Sequence, residues 1–183
     1  MTTTHDFGAG PVPAHRHPNG GGWVADTAWV ADTAYVGPQA QVYGEADVSG
    51  YAQVANTARV FDNARVHVYV RVFDNARVFA NALVSSGALV YDNAWVFGNA
   101  RVFGNAEVFG RALVYGRALV SDYAQVFGYA RVSGHALVSD YAKVYDNAWV
   151  CGNAWAYGNA RVFGNARVSH NAAVCGNAKA AAW

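Results

Sequence analysis

The sequence predicts an all-β fold, a coil of short parallel strands, and three observations predict it. Valine recurs at every sixth residue from position 24 to position 180, in 25 of 27 positions, the exceptions being Ala156 and Ala180. Alanine stands two residues before 25 of the same 27 positions. The register contains no insertion, and a fixed repeat of this kind is typical of solenoids.

Each six-residue unit has the chemistry of a strand followed by a corner. The Ala and the Val alternate with variable residues, which is the two-residue period of a strand, and Val favours extended backbone. The next two positions are commonly Gly-Asn or Asp-Asn, as at 98–99 and 92–93, and such residues suit turns. Because one face stays buried throughout, hairpins are excluded, and we expect strands that stack in parallel on the coils above and below.

Composition narrows the classes of protein. Of the 183 residues, 54% are hydrophobic and 14% are charged, which excludes an intrinsically disordered chain. The net charge of +1 argues against a protein that coats nucleic acid. There is no apolar run of about 18 residues to span a membrane, and the first residues do not read as a secretory signal. We therefore expect a cytoplasmic protein.

The unit A-R-V-F-G-N at 100–105 resembles the hexad of hexapeptide-repeat proteins, which form a left-handed parallel β-helix. These include polymer-forming bactofilin-like and YdcK-like β-solenoids and, more distantly, hexapeptide acyltransferases and γ-class carbonic anhydrases. The resemblance covers about residues 22–183, and the His-Pro at 17–18 is similar to the entry of such helices. It implies nine triangular 18-residue coils, a prism roughly 43 Å long at about 4.8 Å per coil.

The two ends of the chain depart from the repeat. Residues 1–21 are rich in Pro, Gly and His, and we expect an arm that covers the first coil or stays mobile. The sequence ends in AKAAAW, and Trp183 is a candidate to fold over the last coil. The predicted organisation is an arm or cap over 1–21 and a β-helix over 22–183.

With 18 residues per coil, outward residues fall into columns on three sides. The first, second and third sides begin at Val24, Val30 and Val36. An aromatic ladder follows the Val positions of the third side, and we predict that its rings stack and that a second copy of the chain covers it. This third-side ladder comprises Phe73, Tyr91, Phe109, Phe127, Tyr145 and Phe163. The corresponding first-side ladder comprises Tyr43, Phe61, Phe79, Phe97 and Tyr115.

Corner asparagines and two cysteines complete the structural predictions. Asn63, Asn81 and Asn99 share a corner on consecutive coils, and stacked amides can hydrogen-bond along the axis. Cys151 and Cys175 are both predicted to point outward, from different sides. They cannot then form a disulfide, and free surface thiols suit a reducing compartment.

Catalytic chemistry finds little support in the residues. The resemblance to acyltransferases implies a catalytic His, and that to carbonic anhydrases implies three His around zinc. Outside the arm the chain has only His67, His135 and His170, widely spaced, so a metal or catalytic site would have to form between subunits. His15 and His17 in the arm are weak evidence for a metal.

An arginine-aromatic column on the first side is the remaining candidate. Interleaved Arg and Trp side chains can hold flat anionic ligands by stacking, although on a β-surface they are usually a solvated face. The candidate ligand face comprises Arg59, Arg77, Trp95, Arg131 and Trp149. We predict a structural protein without cofactor that forms homo-oligomers through an aromatic face or the prism ends. The alternatives are a hexapeptide-repeat enzyme with an inter-subunit His site and a module that binds a small ligand or a foreign protein.

Overall fold

The computed structural model describes residues 3–182, which form strands, turns and bends and contain no helix. Twenty-seven short strands, β3 to β29, follow one another around a three-sided parallel solenoid of nine coils. Strands of adjacent coils pair in register 18 residues apart, as Arg77 pairs with Trp95. The predicted all-β parallel solenoid is confirmed. No helix in the described residues is long and apolar enough to cross a membrane.

Each side of the prism is one sheet. The sheet of the first side contains β1 Thr4–Asp6, β2 Pro11–Arg16, β3 Trp23–Ala25, β6 Gln41–Val42, β9 Arg59–Val60, β12 Arg77–Val78, β15 Trp95–Val96, β18 Leu113–Val114, β21 Arg131–Val132, β24 Trp149–Val150 and β27 Arg167–Val168. The sheet of the second side contains β4 Trp29–Val30, β7 Asp47–Val48, β10 Arg65–Val66, β13 Leu83–Val84, β16 Arg101–Val102, β19 Leu119–Val120, β22 Leu137–Val138, β25 Trp155–Ala156 and β28 Ala173–Val174. The sheet of the third side contains β5 Tyr35–Val36, β8 Gln53–Val54, β11 Arg71–Val72, β14 Leu89–Val90, β17 Glu107–Val108, β20 Gln125–Val126, β23 Lys143–Val144, β26 Arg161–Gly164 and β29 Lys179–Ala182.

The core is the set of inward Val and Ala side chains. From Ala34 to Val162 every one of them is fully buried, and together they form one continuous apolar cluster along the axis. Because two residues of each unit point inward and both are small, the interior has little spare volume. The core thus explains why the repeat tolerates so few exceptions at these positions.

From residue 44 to residue 176, each corner has one residue in the left-handed conformation. This residue is the first of the two corner residues, for example Gly98 with φ 72° and Asp62 with φ 58°, and it is not the Asn that follows. Carboxylates at this position reinforce the stack, since Asp62 Oδ2 accepts the backbone N–H of Ala80 on the next coil at 3.2 Å. The predicted Asn ladder is present only in part. Among the described residues one Asn–Asn bond joins successive coils, from Asn153 Nδ2 to Asn171 Oδ1 at 3.2 Å.

The arm folds onto the first coil. β1 and β2 form an antiparallel hairpin, and β2 pairs antiparallel with β3 through Ala14 and Ala25. The loop that follows bonds to the third side, where the N–H of Gly22 donates to the carbonyl of Val36 at 2.8 Å. At the N-terminal end of the prism, the arm therefore covers the sheets of the first and third sides. On the second side, β4 is an edge strand. Trp183 lies outside the described residues.

Candidate functional site

The third-side ladder is a continuous stack of six rings on consecutive coils. Neighbouring centroids lie 4.8–5.3 Å apart with interplanar angles of 2–7°. Each ring covers its neighbours, so all six are partly buried and none is fully exposed. The predicted stacking is confirmed, and the surface that the ladder presents to solvent is a row of ring edges.

Four tyrosines beside this ladder are much more exposed, and sequence reasoning did not single them out. Tyr51 and Tyr69 stack at 5.6 Å, and Tyr123 and Tyr141 stack at 5.2 Å. Their exposed fractions are 59%, 63%, 53% and 58% in chain order. These corner tyrosines stand at the corner between the second and third sides, where Asn105 occupies the same column. The sequence signal that could have identified them is a tyrosine at the second corner position, where most repeat units have a polar residue.

A central column of mixed polarity runs between the corner tyrosines and the third-side ladder. Within it, Glu107 Oε2 accepts the hydroxyl of Tyr91 at 3.3 Å and the amide of Gln125 at 3.5 Å. Burial, and next the charge of Glu107, raise the pKa of Tyr91 to about 12. The carboxylate is thus held against the face by its neighbours. Over the six coils of the corner tyrosines, the column comprises Gln53, Arg71, Leu89, Glu107, Gln125 and Lys143.

The first-side ladder has the same geometry and is capped by the arm. Its neighbouring centroids lie 4.8–5.0 Å apart with interplanar angles of 1–4°. Phe7 adds one more ring by stacking on Tyr43 at 4.8 Å, and His5 stacks on Trp23 at 4.4 Å. The first-side ladder is thus continuous with the arm and differs from the third-side ladder in having one end covered.

The prediction that both thiols are exposed is wrong for Cys151. Cys175 is exposed, but the exposed fraction of Cys151 is only 7%. On these coils the aromatic rings of the first-side ladder are replaced by small side chains, Ser133 and Cys151. The Trp149 indole N–H donates a hydrogen bond to Ser133 Oγ at 3.0 Å. Both cysteines are free thiols.

The histidines do not converge on one site. His67 Nε2 lies 3.3 Å from Asp47 Oδ2 on the second side, while His135 and His170 are exposed at a corner. In the arm, His15 Nδ1 lies 2.9 Å from Asp26 Oδ1, and His17 is buried in the loop. Within residues 3–182, no group of three or more His, Cys, Asp or Glu side chains could hold a metal ion.

The candidate ligand face consists of arginines stacked on tryptophans. The Arg77 guanidinium lies 5.0 Å from the Trp95 ring, and that of Arg167 lies 4.4 Å from the Trp149 ring. Arg131 pairs in register with Trp149, and Arg59 pairs with Arg77 in the same sheet. The structure also brings in a residue that sequence reasoning missed, Arg111, which stands at the adjoining corner.

Fold and repeat together define the class, a parallel β-solenoid repeat protein. The family model described as the YdcK beta solenoid repeat matches residues 160–176, so the chain is similar to that family in this segment. No curated protein and no solved structure matches the chain significantly.

Proposed function

We propose that this chain is a non-enzymatic structural β-solenoid that associates side by side with a second copy through its third side. The observation that carries the proposal is the placement of the corner tyrosines, all more than half exposed, along the edge of the third side, beside its six-ring ladder. Exposed aromatic side chains grouped along one edge of a regular surface are typical of interaction sites. Tyr is also enriched at the centres of protein interfaces, because its ring is apolar and its hydroxyl can form hydrogen bonds.

The order of residues in the tyrosine column supports an antiparallel arrangement. On six consecutive coils the column reads Tyr, Tyr, Gly, Asn, Tyr, Tyr, with Gly87 and Asn105 at its centre. A two-fold axis in the plane of the third side, between Gly87 and Asn105, would place Tyr69 of one copy opposite Tyr123 of the second copy. Tyr51 would likewise meet Tyr141. A self-complementary surface of this kind is what a two-fold dimer requires.

The other columns of the third side are compatible with the same axis. It would set Tyr91 of the third-side ladder against Phe109 of the second copy. In the central column it would set Gln53 against Lys143, Arg71 against Gln125 and Leu89 against Glu107, so no like charges come together. Electrostatic repulsion therefore does not oppose this register.

Closure of one prism end supports lateral rather than head-to-tail association. The hairpin β1–β2 occupies the edge of β3, and the loop after it bonds to β5 through Val36. Backbone groups at these two edges are thus already paired, and paired edges do not recruit another chain.

Charge introduced into the corner tyrosines would test the register directly. For the wild type, light scattering should give about twice the 19.5 kDa of one chain. Tyr69→Asp should give a folded monomer, because it buries an unpaired charge in the interface. Adding Tyr123→Lys should restore the dimer, since the introduced charges would face each other across the axis. Circular dichroism would check the fold of each variant.

Trp155→Asp is the control, because Trp155 is 54% exposed and stands on the second side, away from the proposed interface. This variant should remain dimeric. A wild type of monomer mass, or a Trp155→Asp variant as monomeric as Tyr69→Asp, would contradict the proposal. If Tyr69→Asp disrupts the dimer and Tyr123→Lys does not restore it, the antiparallel register is wrong.

We propose further that the protein needs no cofactor and works in the cytoplasm. Support for the first point is the dispersal of His67, His135 and His170 over different columns. Support for the second is the pair of free thiols, Cys151 and Cys175, since unpaired cysteines persist in reducing compartments.

A further inference from the structure

A groove of about 570 Å³ runs along the corner between the third and first sides. It crosses three consecutive coils, because Arg77, Trp95 and Leu113 pair in register with one another. Its volume lies in the range of sites for small molecules. The lining comprises Asn75, Arg77, Asn93, Trp95, Arg111 and Leu113.

The groove is positively charged. Arg77 and Arg111 belong to its first and third coils, so one guanidinium lies on each side of Trp95 along the axis. Within the described part of the chain, the only ion pairs are two His–Asp contacts, and neither arginine has a carboxylate partner. The nearby Asp92 uses Oδ2 to accept the N–H of Gly110 at 3.0 Å.

The Trp95 indole lies between the two arginines and is 37% exposed. The Arg77 guanidinium lies 5.0 Å from the ring, and Phe79 meets it edge to face at 6.1 Å and 76°. A base that stacks on Trp95 therefore replaces Arg77 on the ring or takes the opposite face. Arg111 donates one N–H to the hydroxyl of Tyr129 at 3.2 Å, and a guanidinium has further donors. The amides of Asn75 and Asn93 add donors and acceptors along the same wall.

We infer that this groove binds a mononucleotide. The base stacks on the Trp95 indole, the phosphate accepts hydrogen bonds from Arg77 or Arg111, and the Asn side chains bind the base edge or the ribose. A flat aromatic group joined to an anion is the ligand that an exposed indole between unpaired guanidiniums recognises. A polynucleotide is disfavoured, because the net charge of +1 supplies no continuous basic track for its backbone.

A similar Arg–Trp pair on the same side of the prism lacks these features. The Trp149 indole N–H is bonded to Ser133 Oγ, and the corner beside it carries Asn147 and Asn165 without an arginine. Arg167 stacks on Trp149 at 4.4 Å, as Arg77 does on Trp95 at 5.0 Å, so the pairs differ in the bonded indole N–H and in the missing corner arginine. This pair supplies the control for the experiment.

The test is calorimetric titration of the full chain with adenosine 5′-monophosphate at low salt. We expect saturable binding with a Kd below about 1 mM. Trp95→Leu and Arg111→Asn should each weaken binding roughly tenfold, since stacking and charge-assisted bonds are lost. Leu and Asn occupy the same columns naturally at Leu113 and Asn93, so both variants should fold.

The controls are Trp149→Leu and Arg131→Gln, which make comparable changes outside the groove and should leave the Kd unchanged. Adenosine should bind roughly tenfold more weakly than the nucleotide. The proposal is overturned by a titration without saturable heat, by equal weakening in the control variants, or by equally tight binding of glucuronate or inorganic phosphate. Because the groove borders the third side, the titration is repeated on the Tyr69→Asp variant. Binding by that variant with an unchanged Kd would show that the groove acts independently of the dimer, so the two proposals can fail separately.

Discussion

The indole of Trp149 donates a hydrogen bond of 3.0 Å to Ser133 Oγ on the preceding coil. This contact carries the Trp side chain sideways, from its own column into the next. The same region holds Cys151, whose exposed fraction is only 7%. Trp149 thus covers Ser133, whose exposed fraction is 5%, and we expect it to cover the neighbouring Cys151 as well.

Thiol reactivity should therefore differ between the two cysteines. In the native state a maleimide should label Cys175 and leave Cys151 unmodified, because an alkylating reagent cannot reach a buried thiol. Mass spectrometry of Cys175→Ser and Cys151→Ser variants assigns each adduct. Adding Trp149→Ala to the Cys175→Ser variant should make Cys151 reactive. Equal labelling rates of the two native thiols would show that Trp149 does not cover Cys151.

Enlarging one core valine should destabilise the solenoid. Val108 is fully buried and pairs with Val90 and Val126 on the coils either side. Val108→Leu should cost roughly 1–3 kcal/mol of unfolding free energy through overpacking. Gln125→Leu is the matched control, because the equivalent column already holds Leu89. Urea denaturation of both variants checks the prediction, and equal stability would contradict the inward direction of the Val column.

Relieving a strained corner should stabilise the chain. Val68 has φ 74°, a conformation that costs a β-branched residue roughly 1–2 kcal/mol. Val68→Asp should raise the unfolding free energy by about 1 kcal/mol, since Asp62 has φ 58° and bonds to the next coil. Val68→Ala should fall between the two, because it removes the branching without adding an acceptor. A lower melting temperature for Val68→Asp would show that Val68 is not strained.

Stability should fall at high pH through Tyr91. Its pKa is raised from 10.0 to about 12, mainly by burial, so between these values the folded state keeps a proton that the unfolded chain has lost. The contribution is complete below pH 10 and is lost as the pH rises towards about 12. Tyr91→Phe should reduce this loss, whereas Tyr129→Phe, an exposed control, should not. Urea denaturation at pH values across the window measures the slopes, and identical slopes for wild type and Tyr91→Phe would refute the assignment.

The solenoid was predictable because one physical requirement recurs in every coil. An inward Ala and Val and a corner residue are needed at fixed spacing, so the period specified strands, coils and both aromatic ladders. The hairpin at Thr4–Asp6 and Pro11–Arg16 was not predictable in the same way. It lies outside the repeat, and its pairing with β3 depends on contacts that no period records.

The groove and the buried thiol were missed for a related reason. Sequence columns group residues that are 18 apart, but Arg111 and Trp95 belong to different columns and meet only because the corner folds them together. The same applies to Trp149 and Ser133, which are 16 residues apart. Contacts between columns depend on side-chain rotamers, and these are not encoded in the period of the repeat.

The most direct test of lateral association is small-angle X-ray scattering combined with light scattering on the wild-type chain. One prism has nine coils, a length of roughly 43 Å at about 4.8 Å per coil. For a lateral dimer we expect about twice the 19.5 kDa of one chain, with a larger cross-section and a maximum dimension little greater than that of one prism and its hairpin. A mass of 19.5 kDa, or a doubled mass with a doubled length, would contradict it.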